Sequence, residues 1–408
     1  MPHYRRNLYI LCVAIFLASV SWFQVMPFLP LFLGELGVPK DALLKWSGIV
    51  FSAQSLASIV ALPFWGKLGD RFGRKPMTLR AGFCLGMIYF GMSVCREPWQ
   101  LAVFRFLNGA LTGFIPGAVA LIATGTPKHE VPRAVATAQT ASAVGQIVGP
   151  AIGGFLAEVF GYRGSMHLSG MAVLASTLMV WVFVQEKARP EKEEKTRLVE
   201  DFLFAFRSPV LTSIMLVVLV NGFFIAAVNP ILALHIRKMS ADAPDWLAGV
   251  IFSLPAVAFV LFARRWALIG ERIGYQRTIA LGLGGGAIGS LALAGVHRVS
   301  LFAALFFLLG ACVAALAPSS GAVIALRVPE GFHGRAYAMQ SSAIMLGGLI
   351  APVAATQAAA RLGVASVFIG TAFLYLCALF AFRALARRWE AKTGDNHPVH
   401  PSTPGVAL

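Results

Sequence analysis

The sequence predicts an all-α membrane protein with twelve transmembrane helices in two pseudo-symmetric six-helix bundles. Three observations carry that expectation. Of 408 residues, 58% are hydrophobic and only 13% are charged, with a mean hydropathy of +0.74, whereas a soluble domain carries roughly 25% charged residues. The apolar residues gather into stretches of the length, about 20 residues, that crosses a hydrocarbon core of about 30 Å. These stretches form two sets that repeat half a chain apart.

In chain order the expected spans are 8–33, 43–65, 76–95, 98–123, 134–158, 164–184, 209–236, 246–269, 277–296, 299–325, 336–360 and 364–386. The first is too long, and lacks the small-residue cleavage site, for a removable signal peptide, so it reads as a membrane helix. Lys and Arg then sort unevenly. Twenty-five fall on the side of both termini, eight on the other side, and Arg105 lies inside a span. The positive-inside rule therefore places both termini in the cytoplasm of a multi-pass inner-membrane protein.

The domain division follows. Residues 1–186 form one bundle, 187–207 a charged cytoplasmic connector, 208–390 the second bundle, and 391–408 a disordered tail. The net charge of +16 is accounted for by short basic loops facing an anionic leaflet, which argues against nucleic-acid binding. Cys12, Cys84, Cys95, Cys312 and Cys377 lie in or beside apolar spans, as small core residues rather than a disulfide or metal framework. Gly284 to Gly289 fits a dinucleotide fingerprint, but no strand precedes it and it falls within a span, so it reads as a packing surface. No cofactor, metal or enzymatic chemistry is expected.

The repeat holds register over most of the chain. Gly48 to Ser52 matches Gly249 to Ser253, and Gly69-Asp70-Arg71 matches Gly270-Glu271-Arg272, with Gly73 on Gly274. Arg133, Gly145, Pro150 and Gly161 match Arg335, Gly347, Pro352 and Gly363 at a constant offset of 202. Two six-helix halves in this parallel relation resemble the major facilitator fold, and that resemblance implies a site between them, near the bilayer midplane.

Three motifs bear on function. Between spans 2 and 3 stands G-K-L-G-D-R-F-G-R-K, residues Gly66 to Lys75. Its glycines permit a tight turn and close helix approach, and Asp70 can pair with a guanidinium or a helix start. Span 4 contains Arg105, with Asn108 and Thr112 nearby and glycines at 109, 113 and 117. A buried guanidinium is costly in lipid, so it should face the cavity or a partner helix. Span 5 contains Gly145, Gly149, Pro150, Gly153 and Gly154 in the pattern G-x-x-x-G-P-x-x-G-G. The spaced glycines admit a neighbouring helix and Pro150 bends the chain.

Together these motifs resemble those of the major facilitator superfamily, over residues 1 to about 390. The Gly66–Lys75 loop resembles the family's signature loop. That resemblance implies a conformational lock made of Gly66, Gly69, Asp70, Arg71, Gly73 and Arg74, stabilising the outward-open state. The second copy has Ala267 and Gln276 where the pattern asks for Gly and Arg, which implies a weaker lock. The span-5 pattern resembles the antiporter motif of exporters, and Arg105 resembles the arginine that proton antiporters use in coupling. Val25 to Leu31 and Trp46 to Ser52 are similar to runs in bacterial multidrug exporters of the drug/proton antiporter branch.

The implied function is proton-coupled efflux of hydrophobic or amphiphilic small molecules by a monomer, through alternating access. A dedicated exporter of one metabolite, or a lipid flippase, is the alternative on the same scaffold. The helix-1 carboxylate that such coupling generally uses is missing: Gln24 stands at comparable depth, and Glu35 and Glu158 lie near outer helix ends. The expected cavity residues are Trp22, Gln24, Asn108, Gln139, Asn221, Phe224, Asn229 and Gln340. His235 is expected at the membrane interface.

Overall fold

The computed structural model describes residues 3–127, 129–186, 208–240, 242–328 and 332–393. Among them the regular structure is entirely helical. The first half comprises α1 (His3–Val25), α2 (Leu29–Glu35), α3 (Leu43–Phe72), α4 (Arg74–Ser93), α5 (Pro98–Leu111), α6 (Phe114–Gly125) and α7 (Val131–Phe183). The second comprises α8 (Pro209–Val228), α9 (Leu232–Met239), α10 (Asp245–Ile273), α11 (Tyr275–Ala294), α12 (Val299–Val313), α13 (Leu316–Arg327), α14 (His333–Leu362) and α15 (Ala365–Thr393). The expected connector lies outside the described residues, as does most of the expected tail, although α15 continues past the boundary drawn at 390.

Ten helical stretches are long and apolar enough to cross a membrane. The difference from twelve has two sources. α4 carries Arg74, Lys75 and Arg80, which lower its hydropathy, and α7 is one continuous 53-residue element that turns at Gly161 (φ 71°, ψ 169°). Large apolar side chains on the outer faces remain open, among them Val60, Ile288 and Phe380 at 73%, 74% and 66% exposure. That disposition suits a lipid solvent, which imposes no penalty on an apolar surface.

Four expected spans are broken, two near their middle and two toward their C-terminal end, which the apolar pattern does not reveal. The chain turns between α1 and α2 and between α8 and α9, then between α5 and α6 and between α12 and α13. Pro27 and Pro30 flank the first break and Pro230 lies in the second, each removing a backbone donor. Gly113, with φ 126°, opens the third. The paired breaks lie at matching places in the two halves, so the repeat extends to helix geometry.

Other local conformations are duplicated too. Gly73 (φ 101°) and Gly274 (φ 93°) end α3 and α10, each donating its N–H to the carbonyl four residues back. Gly161 (φ 71°) and Gly363 (φ 84°) make the two turns on the opposite face. Trp65 Nε1 donates to the Ala110 carbonyl at 2.6 Å, and Trp266 Nε1 to the Ala311 carbonyl at 2.7 Å. Nearby, Gly109 meets the Gln54 backbone and Gly310 meets Pro255, where a Cβ at 310 would lie 2.6 Å from Pro255 Cα. The two sides of the molecule are called here the Gly73 face and the Gly161 face.

Candidate functional site

The halves meet along two crossings toward the Gly161 face. On one, Gly48 of α3 rests on α14, where a Cβ would come within 3.1 Å of the Pro352 carbonyl oxygen and collide with Thr356. On the other, Gly249 of α10 rests against the Pro150 carbonyl of α7. Gly48 and Gly249, and Pro150 and Pro352, are repeat equivalents, so one crossing is the pseudo-symmetric image of the other. Ser52 Oγ adds a hydrogen bond to the Leu349 carbonyl at 2.9 Å.

The span-5 motif serves two neighbours at once. Gly145, Gly149 and Gly153 face α1, where added Cβ atoms would crowd Phe16 O at 2.9 Å and Val20 O at 2.9 Å and run into the Gln24 backbone. Pro150 and Gly154 face α10 of the other half, where a Cβ at 154 would lie 2.6 Å from Trp246 Cα. Small residues are thus required on two sides of one helix, for packing within a half and for the seam between halves.

At the rim of this seam Tyr162, just past the Gly161 turn, donates its hydroxyl proton to Asp245 Oδ2 at 2.7 Å. Arg237 Nη2 donates to Tyr162 Oη at 3.0 Å and to Asp245 Oδ1 at 2.7 Å. Burial acts downward on the Arg237 pKa, yet the bonds to Asp245 and Tyr162 outweigh it and hold the guanidinium above its usual value. Sequence reasoning missed all three, because they are separated by up to 83 residues and belong to no local pattern.

Two cavities lie between the halves and share Phe23 and Gln146 in their walls. The larger, about 850 Å³, belongs mostly to the first half and contains Trp22, Gln54, Ser58, Gln139 and Ser142. The smaller, about 280 Å³, belongs to the second half, with Asn221 and Asn229 among Phe224, Phe252, Phe259 and Phe306. Five expected cavity residues therefore line one or the other: Trp22, Gln139, Asn221, Phe224 and Asn229.

Three do not line these cavities. Gln24 is buried and turns toward the second arm of α7, donating to the Ser165 carbonyl at 3.2 Å and to Ser169 Oγ, so it ties α1 to that arm. Asn108 is fully buried in the α5 interior and accepts from Thr112. Gln340 is half-buried on α14. Conversely, Gln54 and Gln146 line the walls and were not anticipated. Their only sequence signal is an amide within a membrane span. His235 stands on α9, where its ring packs against Phe302 and Phe368 in the first turns of α12 and α15, at centroid distances of 5.3 and 6.0 Å.

Arg105 is 2% exposed. Its guanidinium lies 3.7 Å from Met26 Sδ and 5.6 Å from the Phe51 ring centroid, and its Nε has no hydrogen-bond partner among the described residues. Glu35 and Glu158 sit exposed at the Gly161 face, beside Tyr162 and Asp245. Neither is among the groups found against Arg105, which are Met26, Phe51 and Tyr89.

In the signature loop, Gly66 has open space around it and Gly69 is buried with Arg74 Cδ 3.7 Å from a Cβ placed there. Arg71 is exposed and lies 5.4 Å from the Phe72 ring centroid. The side chain of Asp70 lies outside what the structure describes. The N-terminus of α4 is held by Glu186 at the end of α7, whose oxygens accept from the Arg74 N–H at 2.7 Å and the Lys75 N–H at 3.0 Å. A carboxylate at a helix start satisfies donors that the helix itself leaves unpaired. Arg80 stacks on Trp65 at 3.4 Å from the ring centroid, joining α4 to α3.

The profile described as Major Facilitator Superfamily matches residues 11–263 and 214–405. The chain is 32% identical over 391 residues to the multidrug resistance protein MdtG of Salmonella typhimurium, covering 95% of this chain and 97% of that one. It is also 32% identical over 393 residues to MdtG of Escherichia fergusonii, covering 95% and 96%. Among solved structures, an inward-facing bacterial homolog of the human lysosomal transporter Spinster superposes with a TM-score of 0.78 at 13% identity, covering 95% of this chain and 98% of the other. The nucleoside transporter NupG gives 0.78 at 12% identity, over 94% and 99%.

Proposed function

This chain belongs to the major facilitator superfamily, and from that premise we propose that it is a multidrug-type exporter, moving hydrophobic or amphiphilic small molecules out of the cytoplasm by proton-coupled alternating access. The observation that carries the reading is the two-lobed, largely apolar cavity between the halves, bounded by a seam made from the Gly145–Gly154 motif. Walls of this kind suit bulky amphiphiles, whereas sugars and phosphates need denser hydrogen bonding or a basic clamp. The near-full-length similarity to multidrug resistance proteins supports the same substrate class.

The proposal has twelve spans: the broken pairs α1–α2, α5–α6, α8–α9 and α12–α13 count as one each, and α7 counts as two. Both termini and the Gly73 face are cytoplasmic, in keeping with the basic loops. On this reading the halves touch on the extracytoplasmic side, at the Gly48 and Gly249 crossings. Gly66 to Arg74 acts as the cytoplasmic lock, which engages when the halves rock the other way. Arg105 is the coupling residue and acts as a fixed positive charge whose neighbourhood a proton or substrate must alter.

Inverted membrane vesicles with an imposed pH gradient test the reading. Several unrelated dyes should accumulate inside, with proton movement that depends on substrate. Transport of a single metabolite would favour the dedicated exporter, and transport without proton movement would remove the coupling role.

A further inference from the structure

We propose that the two-lobed cavity accepts amphiphiles without a fixed positive charge and discriminates against permanent cations. The proposal rests on the efflux reading and narrows its substrate class.

Neither wall contains a charged side chain. The larger lobe offers amides and hydroxyls, and the smaller sets Asn221 and Asn229 among phenylalanines. A hydroxyl, carbonyl or amide entering from water can replace its lost hydrogen bonds there, but a quaternary ammonium finds no carboxylate to offset its desolvation. A phenylalanine face attracts a desolvated cation by about 2 kcal/mol, less than the several kcal/mol that an unpaired ion loses on leaving water.

The nearest fixed charge has the wrong sign for a cation. Trp22, Leu85 and Gly109, on α1, α4 and α5, all line the larger lobe. Four residues from these stand Met26, just past the end of α1, Tyr89 on α4 and Arg105 on α5, and the Arg105 guanidinium reaches Met26 Sδ. The Arg105 backbone therefore lies about one 5.4 Å helical pitch beyond Gly109 at this end of the lobe. No ion pair is described for it among the described residues. Because it is buried, its field is screened far less than in water, so the cavity carries a positive potential. Neutral amphiphiles are indifferent to that potential, and anionic ones are favoured by it.

Gln146 is the polar side chain common to both lobes, and it stands at their junction. A carboxylate placed there would face a substrate in either lobe.

The test uses two probes of one shape: a neutral dimethylaminonaphthalene fluorophore and its trimethylammonium derivative. Binding is read by fluorescence titration of the purified protein, and transport in inverted vesicles is corrected against vesicles lacking it. The neutral probe should bind and move at least about tenfold better, and Gln146→Glu should narrow that ratio about tenfold by improving the cation. Asn229→Asp supplies the same comparison in the other lobe if Gln146→Glu fails to fold. Equal or better handling of the trimethylammonium probe by the unmodified protein overturns the inference and leaves the efflux reading standing. So does an unchanged ratio in a folded carboxylate variant. Neither probe binding or moving overturns both.

Discussion

The two halves share a scaffold and divide the chemistry. Gly73 and Gly274, Gly161 and Gly363, and the tryptophan ties from Trp65 and Trp266 occupy matching places with matching geometry. At the places that face the middle the equivalence stops. Arg105 corresponds to Phe306, Asn108 to Leu309, and Gln54 to Pro255. The first half holds the buried charge and most of the amides, while the second supplies an aromatic wall. Duplication constrains what the backbone must do, whereas the cavity side chains are free to specialise, because no packing rule forces a charge and a ring to agree.

The sharpest way to break this comparison is to exchange chemistry at one pair of equivalent places. Arg105→Ala should reduce transport about a hundredfold or more, about 2.7 kcal/mol on the rate scale, while the purified protein keeps its Tm. Phe306→Leu should leave the dependence on the pH gradient intact and raise the half-saturating concentration of an aromatic substrate about tenfold, about 1.4 kcal/mol. Vesicle transport measures both. Identical phenotypes would mean that the halves do not divide the labour.

The shared scaffold is tested by treating both crossings alike. Gly48→Ala and Gly249→Ala each place a methyl group against a carbonyl of the opposite half. Each should lower stability by about 1–3 kcal/mol, the usual cost of overpacking. Thermal unfolding of the two variants should agree. A large disparity would show that one crossing dominates.

The rim network is asymmetric, since Asp245 and Arg237 have Leu43 and Glu35 as their approximate equivalents. Tyr162→Phe removes the hydroxyl that bridges the halves and should weaken closure of the Gly161 face by about 1 kcal/mol. That is about a fivefold change in population, readable as spin-label distances across this face. The smallest effect is expected at Glu186→Gln. It weakens a charge-assisted cap on α4 worth about 0.3–1 kcal/mol, for which the second half has Arg387 and Arg388 near the corresponding place. A small fall in Tm checks it, and no fall would show the cap to be solvent-compensated.

Much of the scaffold was legible in the chain. Apolar stretches reveal spans because lipid permits few charges. Repeated glycines reveal turns because positive φ excludes most side chains. The motif at Gly145 to Gly154 likewise announces close approach. The breaks within four spans were not legible, since an apolar run reads the same whether its helix is continuous or kinked. Gln24 was placed in the cavity by depth alone, yet a helix at that depth has several directions to face, and Ser165 and Ser169 determine which one. Glu186 illustrates the same limit: its acceptors are used by a helix that begins 112 residues earlier.

The paired crossings at Gly48 and Gly249 also fix the kinematics. Two contacts, related by a pseudo-twofold and each setting a glycine against a backbone carbonyl of the opposite half, act as two bearings on a common axle. Rotation about the line joining them lets the halves roll, while sliding along a helix would drive a methylene into a carbonyl at one bearing or the other. The lever arm from that line to the Gly73 face is longer than the arm to the Gly161 rim. A few degrees of roll therefore give a wide excursion at one end and a small one at the other, so hydrogen-bond-sized changes near Tyr162 become aperture-sized changes across the molecule.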